Sequence, residues 1–273
     1  MENYIIDSVI NSGSFGTVKK AVDLRTNRHV AIKFLPLKRH DVPSVKNTNM
    51  INREIEIWST LSQKKHPNIL HLEEYHMGIE NAAFVSEYCK RGTLADIQLK
   101  TNFNISEVKY IIKSVLNGLL YCHQLGILHS DIKPANILLS DDDNFKLCDF
   151  GHCQKNIHEF EGLWFRRGTP LYMSPEFYDH IEYGNNVDIW AVGILTYTLI
   201  FNKHPFFKKD DVVPPDFNNK SKFLEDLSLK SKSINIPENL AEKNTIDFLK
   251  KCLEYDKTKR LSCQEAIKHP FLN

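Results

Sequence analysis

From Tyr4 to Tyr88 the chain reads as short strands around one helix, and past Lys90-Arg91-Gly92 it reads as helices; that change of pattern most limits its fold. Residues 4–6, 17–22 and 29–34 carry the β-branched and aromatic residues of strands, with turn residues between them, and 70–75 and 82–86 add two more. Over residues 51–64 the apolar side chains Ile51, Ile55, Trp58 and Leu61 recur at helical spacing. The polar, basic stretch 36–49 reads as a loop. Beyond the boundary, Val108, Ile111, Ile112, Val115, Leu116, Leu119 and Leu120 form the stripe of a long helix, with Ser106 as its expected cap and Gly126 at its end. Residues 208–239 read as a polar surface excursion. The class is α+β: a small antiparallel sheet lobe with one main helix, and a larger, mainly helical lobe.

Charge and composition exclude several function classes. Lys+Arg 35 against Asp+Glu 34 leaves a net charge of +1, so no overall field favours nucleic acid or an anionic membrane as partner. The longest apolar run, residues 189–201, is too short to span a bilayer. Six cysteines without repeated spacing, and a start without a basic leader pattern, point to reduced thiols in an intracellular protein, cytoplasmic or nuclear. His152, Cys153 and His158 lack a fourth ligand at zinc-like spacing.

The chemistry concentrates in His129-Ser130-Asp131-Ile132-Lys133-Pro134-Ala135-Asn136, followed by Asp149-Phe150-Gly151. A carboxylate, an ammonium and an amide share one loop, and a second carboxylate sits on a glycine turn. That set can grip a metal-bound triphosphate. Upstream, Asn11-Ser12-Gly13-Ser14-Phe15-Gly16 joins two strands as a glycine hairpin whose backbone N–H groups can approach phosphate, and Lys33 lies on the third strand. Alone, each is ordinary: glycines mark turns, and a strand Lys is usually solvated. Their order along the chain is what gives them weight.

Together with Gly168-Thr169-Pro170-Leu171-Tyr172-Met173-Ser174-Pro175-Glu176, these motifs resemble those of the protein kinases, Ser/Thr class, from Tyr4 to Phe271. The resemblance implies one kinase domain over 1–273, with a sheet lobe at 1–86, an adenine-binding hinge at 87–91 and a helical lobe at 92–273. It implies ATP and Mg²⁺ as cofactors and polypeptides as substrates. Ile10, Asn11, Ser12, Gly13, Ser14, Phe15, Gly16, Val18, Ala31, Lys33, Ser86, Glu87, Cys89 and Leu138 would line the ATP site, with Ser86 as a small gatekeeper. Lys33 would hold the α- and β-phosphates and pair with Glu54, Glu56 being the competitor for that role. Asp131 would orient the substrate hydroxyl, Lys133 neutralise charge, Asn136 and Asp149 hold the metal, and Thr169 position the substrate. Cys148 would border the nucleotide pocket. Arg260 would be the buried partner of Glu176. Thr93 and Ala135 stand where kinases selecting basic sites often carry Glu, so basic selectivity is not expected.

Two departures from the pattern stand out. Asn11 occupies the place of a first glycine, and Ser130 that of the Arg which in most of the family receives an activation-loop phosphate. Residues 152–167 contain no Ser, Thr or Tyr. Receiver and acceptor are both missing, so the expected enzyme does not depend on phosphorylation within that segment. Phe160, Leu163, Trp164 and Phe165 would instead hold it by packing or against a regulatory protein. The rival reading is a pseudokinase scaffold that binds nucleotide and regulates a partner.

Overall fold

Val30 and Ile32 are buried while Ala31 and Lys33 between and beyond them are only partly so, the alternation of a strand that presents different faces to different surroundings. The computed structural model describes residues 1–13, 16–38, 44–155, 168–179, 184–207, 220–239 and 241–273. In it this strand is central to an antiparallel sheet of β1 (Tyr4–Gly13), β2 (Gly16–Asp23), β3 (Arg28–Pro36), β4 (Leu72–Met77) and β5 (Asn81–Glu87), ordered β1-β2-β3-β5-β4. Tyr4, Ala21, Val30, Ile32, Ala83 and Val85 cluster on one face. Cross-strand pairing of Lys33 with Val18 and Phe84, and of Ala31 with Ser86, places those residues on the other.

Helix α1 (Ser44–Ser62) packs Trp58 edge-on against Phe84 and tilted against Phe150, and the indole N–H donates to the Leu70 carbonyl at 2.7 Å. Full burial of an apolar side chain is worth roughly 1.5–3 kcal/mol, so Ile51, Ile57, Trp58 and Leu61 fix which way α1 faces. The chain continues through α2 (Leu94–Gln98), α3 (Ile105–Gln124) and β6 (Ile127–Leu128) to the paired strands β7 (Ile137–Leu139) and β8 (Phe145–Leu147), then to β9 (Gln154–Lys155), which pairs with β6. After it come α4 (Pro175–Asp179), α5 (Asn186–Phe201), α6 (Lys220–Ser231), α7 (Lys243–Cys252) and α8 (Cys263–Ile267). Residues 187–199 of α5 are all buried, so this helix is an axis rather than a surface element. By contacts the chain divides into two units, Met1–Gly92 with Leu138–Gly151, and Thr93–Ile137 with His152–Asn273.

Several expected boundaries move. The stretch 36–49, expected as loop, is helical from Ser44 on; Asn47 is buried and donates to the carbonyls of Pro36 and Leu37 at 2.7 and 3.0 Å, an anchor that leaves no periodicity to read. Asn104, not Ser106, caps α3: its side chain accepts from the Glu107 amide at 3.0 Å while Glu107 accepts from the Asn104 amide at 2.8 Å. The fourth strand begins at Leu72 rather than at residue 70, because the Leu70 amide is spent on the Leu147 carbonyl at 2.9 Å. Part of the expected surface excursion, Lys220–Ser231, is α6, with Leu227 fully buried; residues 208–219 lie outside the described residues.

Arg260 closes the second unit. Its guanidinium is fully buried and donates to Glu176 at 2.7 and 3.3 Å, and to the carbonyls of Asn186 and Glu254 at 3.0 and 2.9 Å, while lying 5.1 Å from the Trp190 ring centroid. The expected Arg260–Glu176 pair is therefore present. Removing one partner of such a pair strands the other charge. Arg260→Met should cost about 3–5 kcal/mol, whereas the double change Arg260→Met with Glu176→Met should cost less; urea midpoints of the two variants check this, and equal losses would count against the stranded-charge account.

Candidate active site

In the first unit, β3 delivers Lys33 and α1 delivers Glu54 to one point. The Lys33 ammonium lies 2.8 Å from Glu54 Oε1 and 2.8 Å from Asp149 Oδ1. Burial works against its charge, but the pull of Glu54 and Asp149 outweighs burial and holds its pKa above the ordinary lysine value. Glu54 is buried one turn before Trp58, and Glu56, the competing residue, is exposed. Helical periodicity alone separates them. Asp149 has a left-handed backbone, φ 63, a conformation uncommon outside glycine.

The sheet surface beside Lys33 carries Val18, Ala31 and Ser86, as the register requires. The hairpin is closed by the pair Gly13 and Gly16, with Asn11 opposite Val18 and Ser12 Oγ 3.3 Å from Thr17 Oγ1. Gly16 is needed: at φ 145 a side chain is strained, and its Cβ would fall on the Phe34 carbonyl oxygen. Ser14 and Phe15 lie outside the described residues. Ile10 is exposed on β1, and Leu138 is half-buried on β7. The Glu87 carboxylate is bound by Lys146, at 2.8 Å to each oxygen, and accepts from the His71 amide at 3.3 Å. Burial pushes the Cys89 thiol up to about 12, which makes it inert, and Cys148 is buried as well.

In the second unit the loop from His129 to Asn136 folds around Asp131. Oδ1 of Asp131 accepts from the Thr169 amide at 2.8 Å and the Thr169 hydroxyl at 2.9 Å; Oδ2 accepts from Lys133 at 2.8 Å and Asn136 at 2.7 Å. Lys133 also donates to the Thr169 hydroxyl at 2.6 Å. Burial raises the Asp131 carboxyl, but the charge of Lys133 and these bonds prevail, and its pKa lies below the ordinary value. The second Asn136 hydrogen goes to the Asp131 carbonyl at 2.9 Å, so the amide oxygen is the atom it can turn to a ligand. That oxygen is a hard donor, as is the Asp149 carboxylate of the first unit, and each by itself has the chemistry of a Mg²⁺ ligand.

What holds this loop was not legible in the motifs. Asp188, almost fully buried in the first turn of α5, accepts from the His129 amide at 3.0 Å and the Ser130 amide at 2.9 Å, and lies 2.9 Å from the His123 ring. These bonds fix Ser130 at φ 67. A lone acid at the head of an apolar helix was the available signal. Gly168, at φ 107, approaches the same loop so closely that a Cβ would fall on the Ser130 carbonyl oxygen. The Ser130 hydroxyl is buried and has no hydrogen-bond partner among the described residues. Phe160, Leu163, Trp164, Phe165 and His158 lie outside the described residues.

A family model described as the protein kinase domain matches residues 4–272. The chain is 32% identical over 278 residues to a calcium/calmodulin-dependent protein kinase type I of Schizosaccharomyces pombe, covering 99% of this chain and 78% of the relative. It is 31% identical over 276 residues to an Aurora kinase of Encephalitozoon cuniculi, covering 100% of this chain and 94% of the relative. With the serine/threonine-protein kinase PLK4 of Drosophila grimshawi it shares 31% identity over 275 residues but spans 34% of that protein's length.

Asp188→Ala should strand the His129 and Ser130 amides. A buried donor left unpaired costs about 1–3 kcal/mol, so the urea midpoint should fall, and amide exchange at both residues should speed up relative to the core of α5. Unchanged exchange there would show that Asp188 does not hold the loop.

Proposed function

The chain belongs to the protein kinase domain family and, as a member of it, is an ATP-dependent serine/threonine protein kinase; we propose that it transfers the γ-phosphoryl group of ATP to polypeptide Ser or Thr without needing a phosphate on its own activation segment. The observation that carries the transfer reading is the Asp131–Lys133–Thr169–Asn136 network, a carboxylate kept ionised in a buried setting. Phosphoryl transfer asks a protein for position and charge neutralisation more than for covalent chemistry. Asp131 orients the acceptor hydroxyl and takes its proton, and Lys133 places positive charge beside it. Lys33, held by Glu54, neutralises the α- and β-phosphates. Asp149 and Asn136 each offer an oxygen to Mg²⁺, which when bound supplies charge neutralisation at phosphate. The sheet face of Val18, Ala31 and Ser86, with Ile10, Leu138 and the backbone of Glu87 and Cys89, takes the adenine, and the hairpin of Asn11, Ser12, Gly13 and Gly16 covers phosphate.

Independence from activation-segment phosphate is supported by Ser130, by the absence of hydroxyl residues over 152–167, and by how the segment's end is held. Gly168 packs on the Ser130 carbonyl and Thr169 bonds Asp131, contacts that need no phosphate. A phosphate on Thr169 would take away the hydroxyl proton that it donates to Asp131 and break into the contact with Lys133, which argues against that residue as a hidden switch. A partner protein at the segment, substrates without a requirement for basic flanking residues, and the Ser86 gatekeeper complete the proposal.

Protein made in bacteria and treated with phosphatase should phosphorylate casein or a Ser/Thr peptide library, and Asp131→Asn should lose about 10²-fold or more in rate. Activity that returned only after an upstream kinase modified residues 152–169 would sink the regulatory claim. Tight Mg-ATP binding with no transfer at all would favour the scaffold.

The pH profile gives a second check. Because the folded pKa of Asp131 is depressed, its carboxylate form persists as pH falls and is lost only below the ordinary Asp range. Lys133→Met removes the main opposing charge and leaves burial to raise the carboxyl, so the acid limb of the residual rate should move to higher pH. A limb that stayed in place would show that Lys133 does not set it.

A further inference from the structure

Where α5 ends, Asn202 takes a left-handed turn, φ 50, and the chain reverses through Lys203-His204-Pro205-Phe206. His204 is largely enclosed, and both ring nitrogens are committed. Its Nε2 lies 2.9 Å from the Leu171 carbonyl oxygen, which can only accept, so Nε2 carries the proton. Its Nδ1 accepts from the Phe206 amide at 3.2 Å. The tautomer is thereby set by partners on both sides. Tyr172 meets the ring edge-on at 6.1 Å, Phe206 lies at 4.9 Å and Phe207 at 5.5 Å, and the Lys230 ammonium sits 4.8 Å over the Phe207 ring. Burial, with some help from Lys230, lowers the His204 pKa to about 4, so the ring stays neutral at working pH.

Leu171 belongs to the short turn Pro170–Tyr172, which starts from Thr169. Thr169 is the residue that bonds both Asp131 and Lys133. A single imidazole thus links the end of α5 to the segment that follows the catalytic network. The turn has another support: Tyr178 donates to the Pro170 carbonyl. That bond does not reach the Leu171 carbonyl.

We infer that His204 is a positioning residue for the polypeptide substrate: by donating to the Leu171 carbonyl it sets the turn Pro170–Tyr172 that the substrate chain must dock beside. The inference rests on the protein kinase reading of the same site. His204 touches neither nucleotide groups nor Asp131 in the described contacts, so its loss should be felt by the peptide and not by ATP.

The test uses the full chain and the best peptide from a Ser/Thr library. His204→Phe keeps the ring's packing but removes both polar partners; an orphaned buried acceptor corresponds to about tenfold. Peptide KM should rise by that factor, with ATP KM unchanged. His204→Gln restores an amide N–H toward Leu171 and should recover most of the loss. Amide exchange at Tyr172 and Met173, whose N–H groups donate to Thr169 and Pro170 at 2.9 and 3.2 Å, should quicken in the Phe variant; this reads the clamp without catalysis. Equal rises in both KM values, or a Phe variant with wild-type peptide KM and exchange, would overturn the inference. If wild-type protein phosphorylated no peptide, the kinase reading would fail by itself, and exchange would still decide the clamp. If the Phe variant did not fold, wild-type-like kinetics and exchange in His204→Gln would support the inference, and a tenfold KM defect there would overturn it.

Discussion

A buried carboxylate, Asp188, holds the loop from His129 to Asn136. Asp188 accepts the amides of His129 and Ser130 and meets the His123 ring, so α3, α5 and the loop share one polar point inside an apolar unit. Burying a carboxylate is costly unless its lone pairs are used. Here the bonds hold backbone that would otherwise be strained: with Ser130 left-handed, the next residue, Asp131, is turned toward Lys133, Asn136 and Thr169. The apolar α5 supplies the rigid frame from which a two-bond grip can act.

The first unit solves a different electrostatic problem. Lys33 faces two carboxylates, whose pull outweighs the burial that works against its charge. Glu54 reaches it because Ile51, Ile57, Trp58 and Leu61, on the same face of α1, turn that face inward. Packing of α1 thus helps to hold the charge on Lys33. In the second unit Ser130 is uncharged, and Gly168 lies so close to its carbonyl oxygen that no Cβ would fit between them.

Much of this was readable beforehand because it is local. Strand alternation, the stripe of α3, the glycine hairpin and the order of Lys33, Glu54, Asp131, Asn136 and Asp149 are properties of spacing. Asn47 was not readable, since its two bonds go to carbonyls ten and eleven residues away in a stretch without periodicity. The Asn104–Glu107 box is legible in the sequence, but Ser106, also a cap type, competes with it there. Leu72 as the start of a strand depended on Leu70 pairing with Leu147, a contact far along the chain.

The amino-acid order by itself determined the α+β class, through periods of two and 3.6, and the likeness of its motifs to those of the protein kinase family. Tertiary structure alone decided that Asp188 anchors the loop, that Leu138–Gly151 groups with the first unit, and that His204 reaches the Leu171 carbonyl. The physical reason is common to all three: each depends on burial and on partners distant in sequence, where a polar group's free energy is set by what surrounds it rather than by its neighbours along the chain.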